Sequence, residues 1–321
     1  MGEIKYTRDV FIEELYNRMH TNEDIFFLCA DFGSPKLDTL RERFSDRFIN
    51  VGIAEQNLVN VATGLALEGY TVYAYAIAPF LTMRAYEQIR VNLALQSQVK
   101  EINVNLIGVG AGLSYDISGA THHCLEDISI MRTLPNMVVF SPSDWVIAQK
   151  FVDYSLTVKK PKYLRFDGKP LPRIYNYDKN IGFDDGFGEI YRGDDVCIVT
   201  TGFMMHTSLA VVERLAEEGI PIGLIDVFML KPLNEELFYE TIKDYACVVT
   251  IEESFIGKGG LDGLVSKILD DKDSGIRLKR LGFNDTYVFD VGNRAYLHGL
   301  SHLDANSIAD SMRRWCKDVT H

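Results

Sequence analysis

Chemistry in this chain of 321 residues starts with a glutamate. Glu55 stands alone in RFINVGIAEQNLVNVATGLAL (47–67), between a strand-like segment and a helix packed with small and apolar residues. An acid in the first turn of a helix is favoured by the helix dipole. An acid in apolar surroundings, which Ile53, Ala54 and Leu58 would supply, keeps its proton toward neutral pH and is able to pass it on. Phe80, Met83 and Tyr86 recur at helical spacing in APFLTMRAYEQIR (78–90). They form either a core stripe or a surface on which a flat ring can stack. His122 and His123 stand side by side in GATHH, where an imidazole can contact an oxygen and shuttle protons. His123 equally suits a cap on the following helix. Arg165, in YLRFDGKPLP (163–172), offers a planar fork of donors that fits a phosphate, or a salt bridge at a strand end. Asp31, in CADFGS, is the type of residue that closes a turn after a strand. GVGAG (108–112) lacks the full spacing of a nucleotide loop and reads as a strand-to-loop turn.

The elements that must hold these residues alternate. Short apolar runs at Ile25–Ala30, Phe48–Val51, Thr71–Ile77, Ile102–Val109, Met137–Phe140 and Tyr163–Phe166 read as strands separated by helical patterns, the first over 9–20. Alternation of this kind gives an α/β fold with mostly parallel sheets. The stretch Asp167–Asp194, rich in Pro, Gly and Asp, reads as a linker. A second series follows: a strand at Val196–Thr200, a helix from about Met205 to Glu218, the apolar run Ile222–Leu230, a helix near Glu235–Asp244 and a strand at Val248–Ile251. A glycine-led helix near Gly260 and a last one over Ala305–Trp315, with Asp304 as its N-cap, complete it. Two domains are expected, 1–185 and 186–321, each a mostly parallel sheet flanked by helices.

Composition narrows the function. A net charge of -12 opposes binding to nucleic acid or anionic membrane, though a local cluster of Arg, Lys or His still suits phosphorylated sugars. Five cysteines without a C-x-x-C pair argue against a disulfide framework or a zinc site and fit a reducing cytoplasm. The charged, amphipathic start MGEIKYTRDVFIEELYNRM is not a signal peptide, and the run Tyr70–Leu81 is too short to span a bilayer.

Five segments in order resemble the transketolase family: GIAEQ (52–56), APFLTMRAYEQIR (78–90), GATHHCLEDISIMRTLPNMVVFSPSD (119–144), YLRFDGKPLP (163–172) and IEESFIGKGGLDG (251–263). The resemblance runs from about residue 25 to near the end. It implies a pyrimidine-binding domain followed by the family's C-terminal domain, with thiamine diphosphate as cofactor. It makes Glu55 the catalytic glutamate that exchanges a proton with the cofactor's aminopyrimidine, and Phe80 the residue stacked on that ring, with Met83 and Tyr86 lining the pocket. Asp31 would lie near the cofactor's positive thiazolium. His122 would face the substrate and shuttle protons, His123 would hydrogen-bond substrate, and Arg165 would hold its phosphate.

Two positions depart from the family. Ser118 stands where an aspartate is usual and Gly110 where a histidine is usual, both on the donor-sugar side. The family's diphosphate-binding domain, with its Gly-Asp-Gly motif for magnesium, is also missing, since Gly-Asp-Gly occurs nowhere in the sequence. The resemblance therefore implies a split transketolase. A separate N-terminal subunit would bring the Mg2+ and diphosphate ligands, and this chain would bind no metal itself. The complex would be an α2β2 heterotetramer transferring a two-carbon ketol unit between sugars, which are expected to be phosphorylated. The alternatives are the β subunit of a 2-oxoacid dehydrogenase, which shares the two-domain plan, and a non-catalytic regulatory subunit.

Overall fold

Val104–Val109 is buried along its whole length, as a strand with helices on both faces must be. It lies at the centre of a seven-stranded sheet in the computed structural model, which describes residues 3–176 and 181–319. Across this sheet the order is Met229–Lys231, Val138–Phe140, Lys162–Phe166, Val104–Val109, Thr71–Ile77, Ile25–Cys29 and Phe48–Asn50. All neighbours are parallel except the first pair. Helices Thr7–Met19 and Trp145–Thr157 cover one face, and Glu55–Leu67 lies against the other.

A second sheet of five strands has the order Arg277–Phe283, Cys247–Phe255, Val196–Thr200, Gly223–Val227, Phe187–Tyr191. It is parallel apart from Phe187–Tyr191. Its last helix, Ala305–Val319, opens on Asp304, whose carboxylate accepts the backbone N–H groups of Asn306 and Ser307 at 2.9 and 3.1 Å. That is the N-cap expected from the sequence. Among the described residues no helix is long and apolar enough to cross a membrane.

Two expectations change. The apolar run Ile222–Leu230 is two strands, and the second, Met229–Lys231, leaves its own sheet to pair antiparallel with Val138–Phe140 of the first. The stretch Asp167–Asp194 is no loose linker. Leu171–Pro172 pairs with Ile4–Lys5, the N–H groups of Ile174 and Tyr175 both donate to Asp144 at 2.8 Å, and Phe187–Tyr191 is a sheet strand. Residues 177–180 of that stretch lie outside the described residues.

Candidate active site at the carboxyl ends of the first sheet

Ligands of open parallel sheets collect beyond the carboxyl ends of the strands. Asp31 follows Ile25–Cys29, Glu55 follows Phe48–Asn50, Phe80 follows Thr71–Ile77, and the loop to His122 and His123 follows Val104–Val109. The fold therefore places residues separated in sequence along one rim.

Glu55 is the first residue of its helix and is 3% exposed. Its Oε2 accepts a hydrogen bond from Arg84 Nη1 at 2.6 Å. The same guanidinium lies over the Phe80 ring, 5.0 Å from its centroid. His122 and Phe80 meet in a T-shaped contact, with centroids 5.2 Å apart. Glu55, Arg84, Phe80 and His122 thus form one continuous chain of contacts. Phe80 and Arg84 lie in a stretch, Phe80–Arg84, wound as a π-helical turn. Such widened turns are frequent at functional sites.

The surroundings of Glu55 differ from the expectation in one respect. Leu58 is fully buried beneath it, but Ile53 is 76% exposed, so the apolar wall on that side is missing from the chain alone. Met83 and Ile117 are likewise exposed, and Ser118 stands on the surface next to Ile117. The Tyr86 hydroxyl donates to the Ile130 carbonyl at 3.0 Å. Asp31 positions the neighbouring loop. It has a left-handed backbone (φ 48) and exchanges hydrogen bonds with the Asn50 side chain, whose Oδ1 also accepts from the N–H of Gly52. Gly52 opens the turn that delivers Glu55.

His122 is half-buried, with its Nδ1 3.1 Å from the Thr121 hydroxyl. His123 is buried, with Nε2 3.4 Å from the Asp116 carbonyl, and burial lowers its pKa. Gly110 has φ +101, and a Cβ there would come within 2.2 Å of the Tyr115 ring. The space for a side chain at 110 is already taken by Tyr115.

Arg165 makes the salt bridge that was its alternative reading, buried rather than exposed. It is 3% exposed, and its Nε donates to Asp127 Oδ2 at 2.7 Å. Its Nη2 donates to the carbonyls of Cys124 and Glu253 at 3.3 and 3.2 Å. A guanidinium so committed braces the junction of the two sheets and is not an open phosphate clamp.

Beside it lies a buried charge network whose acids Asp167 and Glu253 lie in motif segments but whose Arg294 and His298 do not. Arg294 donates to Glu253 through Nε and Nη2 and to Asp167 through Nη1, with its guanidinium 3.5 Å over the Phe203 ring. His298 Nε2 lies 2.6 Å from Glu253 Oε1. Burial alone would raise the Glu253 pKa, but Arg294 and His298 hold it well below the usual carboxylate range. Asp116 binds the N–H of Arg294 and pairs with Lys169. Glu252, on the opposite face of the same strand, accepts the N–H groups of Leu261 and Asp262 at 2.8 Å at the start of helix Leu261–Asp271. Alternation along the strand thus sends two adjacent glutamates to two separate tasks. Arg84 likewise carries no signal of its own, although it lies inside a segment singled out for its neighbours.

Comparison with known proteins is consistent with this geometry. Residues 5–172 match the pyrimidine-binding domain of transketolase and residues 189–308 its C-terminal domain. One of the subunits of the apulose-4-phosphate transketolase of Actinobacillus succinogenes is 33% identical over 97% of this chain and 98% of its own length. Transketolase of Pongo abelii is 30% identical over 98% of this chain, which spans 49% of that protein. The solved structure of a split gene transketolase, an inactive beta4 tetramer, superposes with a TM-score of 0.85 at 32% identity, covering 97% of this chain and 98% of that one.

Proposed function

The chain belongs to the transketolase family and carries its pyrimidine-binding and C-terminal domains, and on that premise we propose that it is the subunit of a split transketolase that holds the aminopyrimidine end of thiamine diphosphate. The boundary between its two domains falls near residue 185. When bound, the cofactor supplies the nucleophilic carbon that carries a two-carbon ketol unit between sugars. Glu55 exchanges a proton with the far nitrogen of the aminopyrimidine, and Phe80 offers the ring face on which it stacks. His122, in its T-shaped contact with Phe80, reaches the sugar's hydroxyl or carbonyl oxygen. His123 and Ser118 border the sugar from the same loop, and Asp31 acts through Asn50 to set the turn before Glu55.

The diphosphate end falls to a companion chain. Among the described residues no group of three or more His, Cys, Asp or Glu side chains could hold a metal ion. Magnesium needs several oxygen ligands at fixed distances, and in this reading an N-terminal transketolase subunit supplies them. Exposed Ile53, Met83 and Ile117 ring the site and suit burial against that subunit. The complex is an α2β2 heterotetramer working in the cytoplasm, where the buried Cys29, Cys124, Cys197 and Cys247 stay as thiols. A relative's action on apulose 4-phosphate supports a phosphorylated sugar as substrate, and favours ketol transfer over oxidative decarboxylation. The inactive beta4 tetramer supports dependence on the companion.

The observation that carries this function is the contact chain from buried Glu55 through Arg84 to Phe80 and His122. Its test is deuterium exchange at the cofactor's reactive carbon in the complex reconstituted with the companion. Glu55→Gln is expected to slow exchange roughly a hundredfold or more. Exchange at the wild-type rate in a folded variant removes Glu55 from the mechanism.

A further inference from the structure

An aminopyrimidine seated on this chain needs two things: a flat face against Phe80 and a hydrogen bond to Glu55. One side chain already engages both partners. The Arg84 guanidinium is planar, lies 5.0 Å over the Phe80 ring and donates to Glu55 Oε2 at 2.6 Å. A guanidinium is a flat cation with N–H donors at its edge. In shape, charge and donor pattern it resembles an aminopyrimidine protonated at its ring nitrogen.

We propose that Arg84 is an internal stand-in for the aminopyrimidine, occupying its seat in the chain alone, and that the cofactor binds by displacing it. The proposal rests on the assignment of Glu55 and Phe80 made above.

The local structure suits a side chain that leaves while its backbone stays. Gln56 Nε2 donates to the Arg84 carbonyl at 3.2 Å, tying the main chain to the helix that begins at Glu55. The Arg84 side chain is 47% exposed, whereas Glu55 beneath it is 3% exposed. One partner is fixed and buried, and the other reaches in from solvent on a flexible stem. The stand-in also gives Glu55 a partner whenever the cofactor is away, so a buried carboxylate is never left unpaired. Exposed Ile53 and Met83 flank the seat, so a companion chain covering them closes over the place that Arg84 must vacate.

An occupied seat lowers apparent affinity by the fraction of time it is open. The probe is the neutral aminopyrimidine half of the cofactor, 4-amino-5-hydroxymethyl-2-methylpyrimidine, titrated into the full chain and followed by NMR. Its neutrality keeps the lost charge of a variant from mimicking the effect. Arg84→Gln, which removes the cation and shortens the stem, is expected to bind the probe about tenfold more tightly than wild type. Arg84→Lys, which loses the flat fork, is expected to fall between. Phe80→Ala added to Arg84→Gln is expected to abolish the gain. Equal or weaker binding by Arg84→Gln, with its near-ultraviolet circular dichroism unchanged, overturns the proposal, as does a gain that survives Phe80→Ala. If Arg84→Gln does not fold, Arg84→Lys decides alone, and binding no tighter than wild type overturns the proposal. A parallel titration of the wild-type complex with thiamine diphosphate and magnesium separates the two levels. If the complex binds cofactor while the variants leave the probe's affinity unchanged, only the stand-in fails. If the complex binds none, the assignment of the seat fails and the stand-in with it.

Discussion

Asp226 is buried in the second sheet, where its Oδ2 accepts hydrogen bonds from the Ser143 hydroxyl at 2.5 Å and the Tyr175 hydroxyl at 2.9 Å. Oδ1 has no partner among the described residues. Burial pushes the carboxyl up to about 7, with a further push from Asp144, against the pull of the two hydroxyls. In the unfolded chain the same group ionises near 3.8. Between roughly pH 4 and 7 the folded protein holds this proton and the unfolded chain does not, so stability falls as pH rises through that window. Below the window the contribution is fully present; above it the loss is complete. At 1.36 kcal/mol per pH unit, the gap from 3.8 to about 7 is worth roughly 4 kcal/mol. Asp226→Asn keeps the acceptor for both hydroxyls and abolishes the titration. The assay is urea unfolding of both proteins at half-unit steps from pH 4.5 to 8, following the transition that exposes the second sheet. Groups not coupled to Asp226, among them His206, contribute equally to the two proteins and cancel in the difference. Between pH 4.5 and 8 the wild type is expected to lose about 3 kcal/mol relative to the variant, the remainder of the gap lying below the first point. A difference that stays flat with pH refutes the argument, whatever its constant offset.

Arg165→Ala strips Asp127 of its buried partner and is expected to cost about 3–5 kcal/mol, read as a fall in thermal midpoint. Its effect on KM should be the same for phosphorylated and unphosphorylated sugars, and a selective effect would return Arg165 to the substrate. Gly110→His, which installs the side chain expected there from the family resemblance, meets the Tyr115 ring and a left-handed backbone. It is expected to destabilise by about 1–3 kcal/mol. Tyr115→Ala in the same chain should recover part of that loss in a denaturant titration.

The placement of Glu55, Phe80 and His122 on one rim is legible in the sequence because each lies in a short local motif whose strand and helix follow from the same few residues. For Arg165 the sequence leaves a phosphate clamp and a salt bridge both open, because its partner Asp127 is 38 positions away and nothing near residue 165 selects between them. Ile53 has the type of an apolar wall for Glu55, yet it is 76% exposed. A residue destined for a protein interface has the same type as one destined for a core, and only the fold tells them apart. The run Ile222–Leu230 hides a change of sheet for a similar reason. Periodicity reports that a segment is extended and apolar, but not which distant strand receives it. Arg84 is easily passed over because arginines are common on helix surfaces. Its meaning lies in Phe80 and Glu55, one of them brought close by the turn and the other by the sheet.

The strand Met229–Lys231 has a consequence for synthesis. The edge of the first sheet at Val138–Phe140 gains its last neighbour from a segment translated about ninety residues later. While the chain emerges from the ribosome, that edge stays open, a row of unpaired backbone groups ready to take any extended peptide. A chain cut near residue 185 would keep it open permanently. Such a fragment should precipitate or pair with its own kind, and the two halves should mature only when made together.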